Sequence, residues 1–169
     1  MGRTARGSRS RAGIAAARGE VAVFLDADGQ DPPEDIALLL AALAPDVDLV
    51  NGSKFTGTCL PGAISPLNRL GNRSMSALAN VLFGLAITDS QSGFRAIRLE
   101  RLRALRLEAR EYEIETEVLL GGALAGWRMV EVPVTRDRRG AGRSGFKRIR
   151  NGLRILALIL ATRVRSFAR

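Results

Sequence analysis

Two carboxylates and an amide stand close together early in this chain: Asp26, Asp28 and Gln30, in the run DADGQDPPED that follows VAVFL. The apolar run before a turn predicts a buried strand over Glu20 to Leu25, and side chains two residues apart project from the same side of its end. Hard divalent cations prefer oxygen ligands, and Mg²⁺ typically uses one or two carboxylates together with water and substrate phosphates. Asp26, Asp28 and Gln30 therefore read as a partial shell for Mg²⁺ or Mn²⁺, of the kind that nucleoside-diphosphate chemistry uses. Asp and Gly also gather at strand ends for turn reasons alone, so the case depends on the rest of the chain.

Composition narrows the chemistry further. The 169 residues, 46% hydrophobic and 25% charged, suit one globular domain, with 1–135 as its core and 136–169 as a basic loop and amphipathic helix. There is no histidine, and Cys59 is the single cysteine. This excludes Ser/His/Asp and Cys/His triads, His-ligated metals, an internal disulfide and a Cys-based zinc cluster. Catalysis has to rest on carboxylates, arginines, a cation or the substrate itself.

The formal charge of +9 is unevenly spread: +5 over residues 1–18, −6 over 19–135 and +10 over 136–169. The densest stretch, RDRRGAGRSGFKRIR from Arg136 to Arg150, suits an anionic partner such as a lipid phosphate or an anionic membrane surface. It holds one aromatic, Phe146, so stacking interleaved with charge is not evident and nucleic acid is not an expected partner. No signal peptide is recognisable, which makes a cytoplasmic setting the default.

Helices and strands alternate along the chain. Helices are expected over Arg9 to Arg18, Ile36 to Leu43 after Pro32 and Pro33, Leu67 to Leu85, Tyr112 to Ala125 and Gly152 to Ser166; further strands are expected over Asp48 to Asn51 and Trp127 to Thr135. Pro133 marks the last strand as an edge. Glycines and prolines between Lys54 and Pro66 predict a long loop, and TDSQSGFRA a turn region. The final helix is too short in its apolar run to span a bilayer, and its arginines equally suit a membrane interface.

In order, these pieces are a strand ending in DADGQDPPE, then DLVNGSK, PLNRLGN, TDSQSGFRAI, EYEIETEVL, GWRMVEVPV and a basic R-x-x-G-x-S segment. The series resembles the family 2 glycosyltransferases, and among them the polyprenyl-phosphate sugar transferases of the dolichol-phosphate mannosyltransferase type. The resemblance implies an α/β GT-A-type mixed sheet flanked by helices. It also implies metal-dependent, inverting transfer of a sugar from a nucleotide-diphosphate sugar to a polyprenyl phosphate. By it, Asp26 and Asp28 match the D-x-D motif, with Gln30 completing the metal shell and Asp28 counted among the catalytic groups. Lys54, Arg69, Ser92, Gly93, Arg139, Ser144 and Lys147 fall at substrate-binding positions, and Asp89 and Arg95 at catalytic ones.

A lipid phosphate is already ionised near neutral pH and needs no general base; were the acceptor a hydroxyl, Asp89 is the candidate base. Two departures stand out. The family's opening strands, with a P-x-x-N/D-E motif, have no match here, so an N-terminally truncated domain is expected. Ser144 is followed by Gly145 where the family often has lysine, the nearest being Lys147. The alternative reading is an inactive remnant that binds anionic lipid through its basic C-terminus. The enzyme reading places the protein at the inner face of the membrane and leaves room for a separate membrane-anchoring subunit.

Overall fold

The computed structural model describes residues 6–138 and 148–167. Four strands form one sheet: β1 (Val21–Phe24), β2 (Leu49–Cys59), β3 (Arg95–Arg98) and β4 (Met129–Arg136), in the order β1-β3-β2-β4. β3 runs antiparallel to both its neighbours, and β2 and β4 pair in parallel. Around the sheet lie α1 (Arg6–Ala16), α2 (Ile36–Ala42), α3 (Pro66–Phe83), α4 (Leu99–Ala104), α5 (Ile114–Leu124) and α6 (Arg148–Phe167).

Side-chain alternation sorts the strands onto two cores. Ala22, Phe24, Leu49, Ile97 and Met129 face one side and pack with Ile14 of α1, Leu102 of α4 and Val118 of α5. Val21, Val23, Val50, Ala96 and Val134 face the other and pack with Leu39 of α2. Packing on both faces explains why VAVF lacks polar alternation. β1, at the end of the strand order, is half-buried and not buried as expected, and Leu25 just past it is 45% exposed. A third cluster joins α3, α5 and α6 through Ala79, Leu120, Ile155 and Ile159.

Most elements fall where periodicity and caps place them. α3 begins at the Ser65 cap, whose hydroxyl accepts from the Asn68 N–H at 3.3 Å, and ends at Gly84 in the left-handed region, φ 66°; both are strong terminus signals. Three elements differ from expectation. β2 does not stop at Gly52 but continues to Cys59, into the expected loop. Its pairing with β4 shifts register between Ser53 and Thr58, and a Cβ at Gly57 would overlap the Val134 backbone. Glycine here permits close strand approach, where the sequence pattern reads a loop. β3 and α4 fill the stretch after the SQSGF turn, where no regular element is expected. β4 does lie at a sheet edge, where Pro133 removes no needed ladder bond.

Candidate active site

The turn after β1 carries Asp26, Asp28, Gln30 and Asp31, and it is closed locally. The Asp26 N–H donates to Asp31 Oδ2 at 3.1 Å, and the Gln30 N–H to Asp28 Oδ1 at 3.2 Å. Gly29 supplies the positive φ of 70°. Strand β1 ends at Phe24, so both carboxylates project from this turn and not from the strand itself.

Two arginines from distant parts of the chain converge on it. Arg6 of α1 bridges Asp26 Oδ1 and Glu115 Oε1 of α5, each at 2.5 Å. Arg136, the last residue of β4, pairs with Asp31 and lies 3.3 Å from Asp26 Oδ2, 3.1 Å from Gln30 Oε1 and 3.8 Å from Asp28 Oδ2. One positive centre thus meets the three oxygen donors expected for a metal. All three are hard donors, so the set fits Mg²⁺ or Mn²⁺. Among the described residues no group of three Asp, Glu, Cys or His side chains forms a metal cluster; the turn's third carboxylate, Asp31, is taken up by the Asp26 N–H and Arg136.

Burial and charge pull these acids in opposite directions. Burial pushes Asp26 up, but Arg6 and Arg136 outweigh it and hold its carboxyl below the usual range. Burial also raises Glu115 and Asp31, and there the facing arginines offset it only in part. Burial disfavours the Arg6 and Arg136 charges, yet the carboxylates win and both stay firmly protonated. Asp26 therefore contributes stability above its unfolded value of 3.8, lost as pH falls through its lower folded value. Glu115 has the opposite sign: its contribution is full below 4.5 and lost as pH rises through its raised folded value. In a ¹³C NMR titration of the side-chain carboxyls, Glu115 should take up its proton above 4.5 and Asp26 only below 3.8. The reverse order would contradict this charge arrangement.

Beside the turn, a polar rung crosses the sheet. Arg95, Asn51 and Glu131 are register partners on β3, β2 and β4, one step beyond the apolar rung Ile97, Leu49 and Met129. Arg95 donates to Asn51 Oδ1 at 2.7 Å, to the Glu115 carbonyl at 2.6 Å and to the Ser90 carbonyl at 2.9 Å. Asn51 donates to Glu131 Oε1 at 2.7 Å and to the Asp89 carbonyl at 3.0 Å. Glu131 accepts from the Thr88 and Asp89 N–H groups at 2.8 and 3.1 Å. The rung therefore fixes the backbone of residues 88–90. Arg95 is buried with its guanidinium on backbone and amide oxygens, and it also lines a cleft between α1 and α5. Burial lowers its pKa to about 10, against the opposing charges of Glu115, Asp89 and Glu131.

The fixed turn presents Asp89, Ser92 and Gly93. Asp89 is fully buried, with one oxygen on Lys54 of β2 and the other on Asn72 of α3 at 2.8 Å. Ser92 uses its hydroxyl on the Phe94 backbone. Gly93 presses on the acidic turn: a Cβ there would lie 2.7 Å from Arg6 Nη2 and 2.9 Å from Asp26 Oδ1. Asp26, Lys54, Asp89, Ser92, Gly93 and Arg136 thereby line one small cavity of about 30 Å³. A larger cleft of about 240 Å³ adjoins it between α1, the β1 end and α5, with Arg6, Arg9, Asp26 and Glu115 on its walls. Arg69 stands apart from both, over the Phe55 ring at 5.5 Å, a ring that Lys54 also approaches, at 4.8 Å. Arg139, Ser144 and Lys147 lie outside the described residues.

Arg6, Asn51, Asn72, Glu115, Glu131 and Arg136 were not among the residues expected from sequence. The signal for two of them is an out-of-place polar group: Asn51 interrupts LVNG and Glu131 interrupts MVEV.

Comparison with known proteins bears on the family and the fold. The model for glycosyl transferase family 2 matches residues 4–106. An undecaprenyl-phosphate mannosyltransferase of Micrococcus luteus is 37% identical over 133 residues, covering 74% of this chain and 52% of that protein. A polyprenol monophosphomannose synthase of Mycolicibacterium smegmatis is 32% identical over 129 residues, covering 72% and 47%. This chain spans about half the length of these relatives. In fold it matches glucosyl-3-phosphoglycerate synthase from Mycobacterium tuberculosis, solved with Mn²⁺, uridine diphosphate and phosphoglyceric acid, at a TM-score of 0.74 and 21% identity over 95% of this chain and 55% of that one. The mixed sheet flanked by helices is thus the GT-A-type fold. With more than half its residues matched by the family model, the chain belongs to glycosyl transferase family 2.

Proposed function

We propose that the protein transfers a sugar from a nucleotide-diphosphate sugar to a polyprenyl phosphate, with inversion at the anomeric carbon. The observation that carries this reading is the convergence of Asp26, Lys54, Ser92 and Gly93 on one cavity, which sets the acidic turn beside a cationic group. Asp26, Asp28 and Gln30 would hold the cation. A bound Mg²⁺ or Mn²⁺ would supply the positive charge that offsets the charge gathering on the departing diphosphate. The cleft beside Asp26 has room for part of the donor, and arginine forks on its walls suit phosphate.

The state of Asp89 supports a phosphate acceptor. Its two oxygens are occupied by Lys54 and Asn72, so it is poorly placed to take a proton from a hydroxyl. A lipid phosphate needs no such base. The relatives' names, which specify undecaprenyl-phosphate and polyprenol substrates, point the same way.

Helix α6 supports an anionic membrane surface as the place where this acceptor is met. Its inner face packs through Ile155 and Ile159, while Ile149, Leu153, Leu160, Val164 and Phe167 form a second, exposed apolar stripe at spacings of three, four and seven. Arg150 and Arg165 flank it, a pattern that suits an interfacial helix. No helix among the described residues is long and apolar enough to cross a membrane, so a peripheral position at the inner face is proposed.

The test uses the folded chain, Mn²⁺ and undecaprenyl phosphate in anionic vesicles, with labelled GDP-mannose, UDP-glucose and UDP-N-acetylglucosamine offered in turn. Label from one donor should enter the organic-extractable lipid, and Asp26→Ala/Asp28→Ala should abolish it. No labelled lipid from any donor would contradict the reading.

A further inference from the structure

We propose that Arg136 is the built-in counter-cation of the acidic turn and that a divalent ion binds there only by displacing its guanidinium. The inference rests on the proposed cation site at Asp26, Asp28 and Gln30 and concerns what governs occupancy of that site.

The geometry is that of a competitor. Arg136 pairs with Asp31, and its Nη2 lies 3.3 Å from Asp26 Oδ2, 3.8 Å from Asp28 Oδ2 and 3.1 Å from Gln30 Oε1. These last three oxygens are the ones a metal would take. With Arg6 on the other Asp26 oxygen at 2.5 Å, that carboxylate is neutralised from both sides before any ion arrives. A dication added among the same oxygens would sit against the guanidinium, and at such separations in a part-buried site like charges repel strongly. Guanidinium and dication are alternatives for one place.

The exchange needs a side-chain swing and no movement of the strand. The Thr135 N–H donates to Asp35 Oδ2 at 2.7 Å, and the Asp137 N–H to the Gln30 carbonyl at 2.9 Å. The Gln30 amide returns a bond to the Asp137 carbonyl at 2.8 Å. Backbone on both sides of Arg136 is thus tied to the segment that follows β1, while its side chain is held by Asp31 and by the groups a metal would claim, so a swing away from the latter can pivot on Asp31. A free ion then has to pay for breaking several charge-assisted bonds. An ion arriving with a diphosphate brings an anion that offers the released guanidinium a new partner. Weak binding of the ion alone and stronger binding together with nucleotide follow from one residue.

The experiment measures Mn²⁺ binding by the loss of the free-ion EPR signal, without nucleotide and then with UDP or GDP. Arg136→Gln should bind Mn²⁺ alone at least about tenfold more tightly than the wild type, because removing a part-buried competitor charge removes the displacement cost. Its gain on adding nucleotide should be smaller than the wild type's. Arg136→Lys, whose ammonium reaches fewer of these oxygens, should fall between the two and serves if the glutamine variant folds poorly by circular dichroism. A folded Arg136→Gln, or failing that Arg136→Lys, that binds Mn²⁺ no more tightly than the wild type would overturn the proposal. So would a gain that survives Asp26→Ala/Asp28→Ala. The same double substitution in the wild type separates the two ideas: loss of its Mn²⁺·nucleotide binding upholds the cation site even where Arg136 fails, and persistence of that binding removes the site itself.

Discussion

Replacing Arg95 by methionine should cost about 3 kcal/mol of folding stability, a loss that comes from hydrogen bonds to a charged group and the acceptors they leave behind. Arg95 is 3% exposed, and its guanidinium serves Asn51 Oδ1 and the carbonyls of Ser90 and Glu115. Methionine fills much of the volume but leaves all three acceptors without that donor. Burying the charge itself has a cost, as its pKa near 10 indicates, and losing that cost keeps the net effect below the sum of three bonds. For a chain of this size the change corresponds to a fall in Tm of roughly 6–12 °C. Urea unfolding of the two proteins measures it. The turn at 90–93 loses its anchor as well, so nucleotide binding should weaken together with stability. A variant as stable as the wild type that lost only activity would show that Arg95 meets substrate directly.

Much of the frame was legible because its signals are local. Ser65, Pro66 and Gly84 bracket α3, and the VAVFL run ending in DADGQ places an acidic turn after β1. The polar rung was harder to see. Arg6 and Glu115 are 109 residues apart, and Arg95 and Asn51 are 44 apart. No short-range pattern reports such pairs: the first joins α1 to α5, and the second meets only because β3 pairs with β2. That pairing was itself hidden, since Arg95–Arg98 offers two apolar residues between two arginines, too little for a period to register. The end of β2 was lost for a different reason. Gly52 and Gly57 weaken a strand reading on propensity, and what they permit, close packing against Val134 and the Phe94 carbonyl, exists only after β4 has paired. Arg136 was read within a basic tail, whereas it ends β4 and turns inward to the carboxylates.

The second large effect is expected from Asp26→Ala/Asp28→Ala. Both carboxylates leave, yet Arg6 keeps Glu115 and Arg136 keeps Asp31, so neither part-buried guanidinium is stranded and the fold should persist. What disappears is the oxygen pair on which a cation and its diphosphate depend. Losing two of three protein ligands should weaken metal-dependent nucleotide binding at least about a hundredfold. The ions themselves, not surface charge in general, are at issue, so moderate salt should not reproduce the loss.

Calorimetric titration of UDP and of GDP, with and without Mn²⁺, into the wild type and this double variant is the most direct test that the acidic turn is a diphosphate site. Binding of one nucleotide that requires Mn²⁺ and vanishes in a folded double variant is the expected result. Binding that ignores the metal, or that survives the loss of both carboxylates, would contradict it.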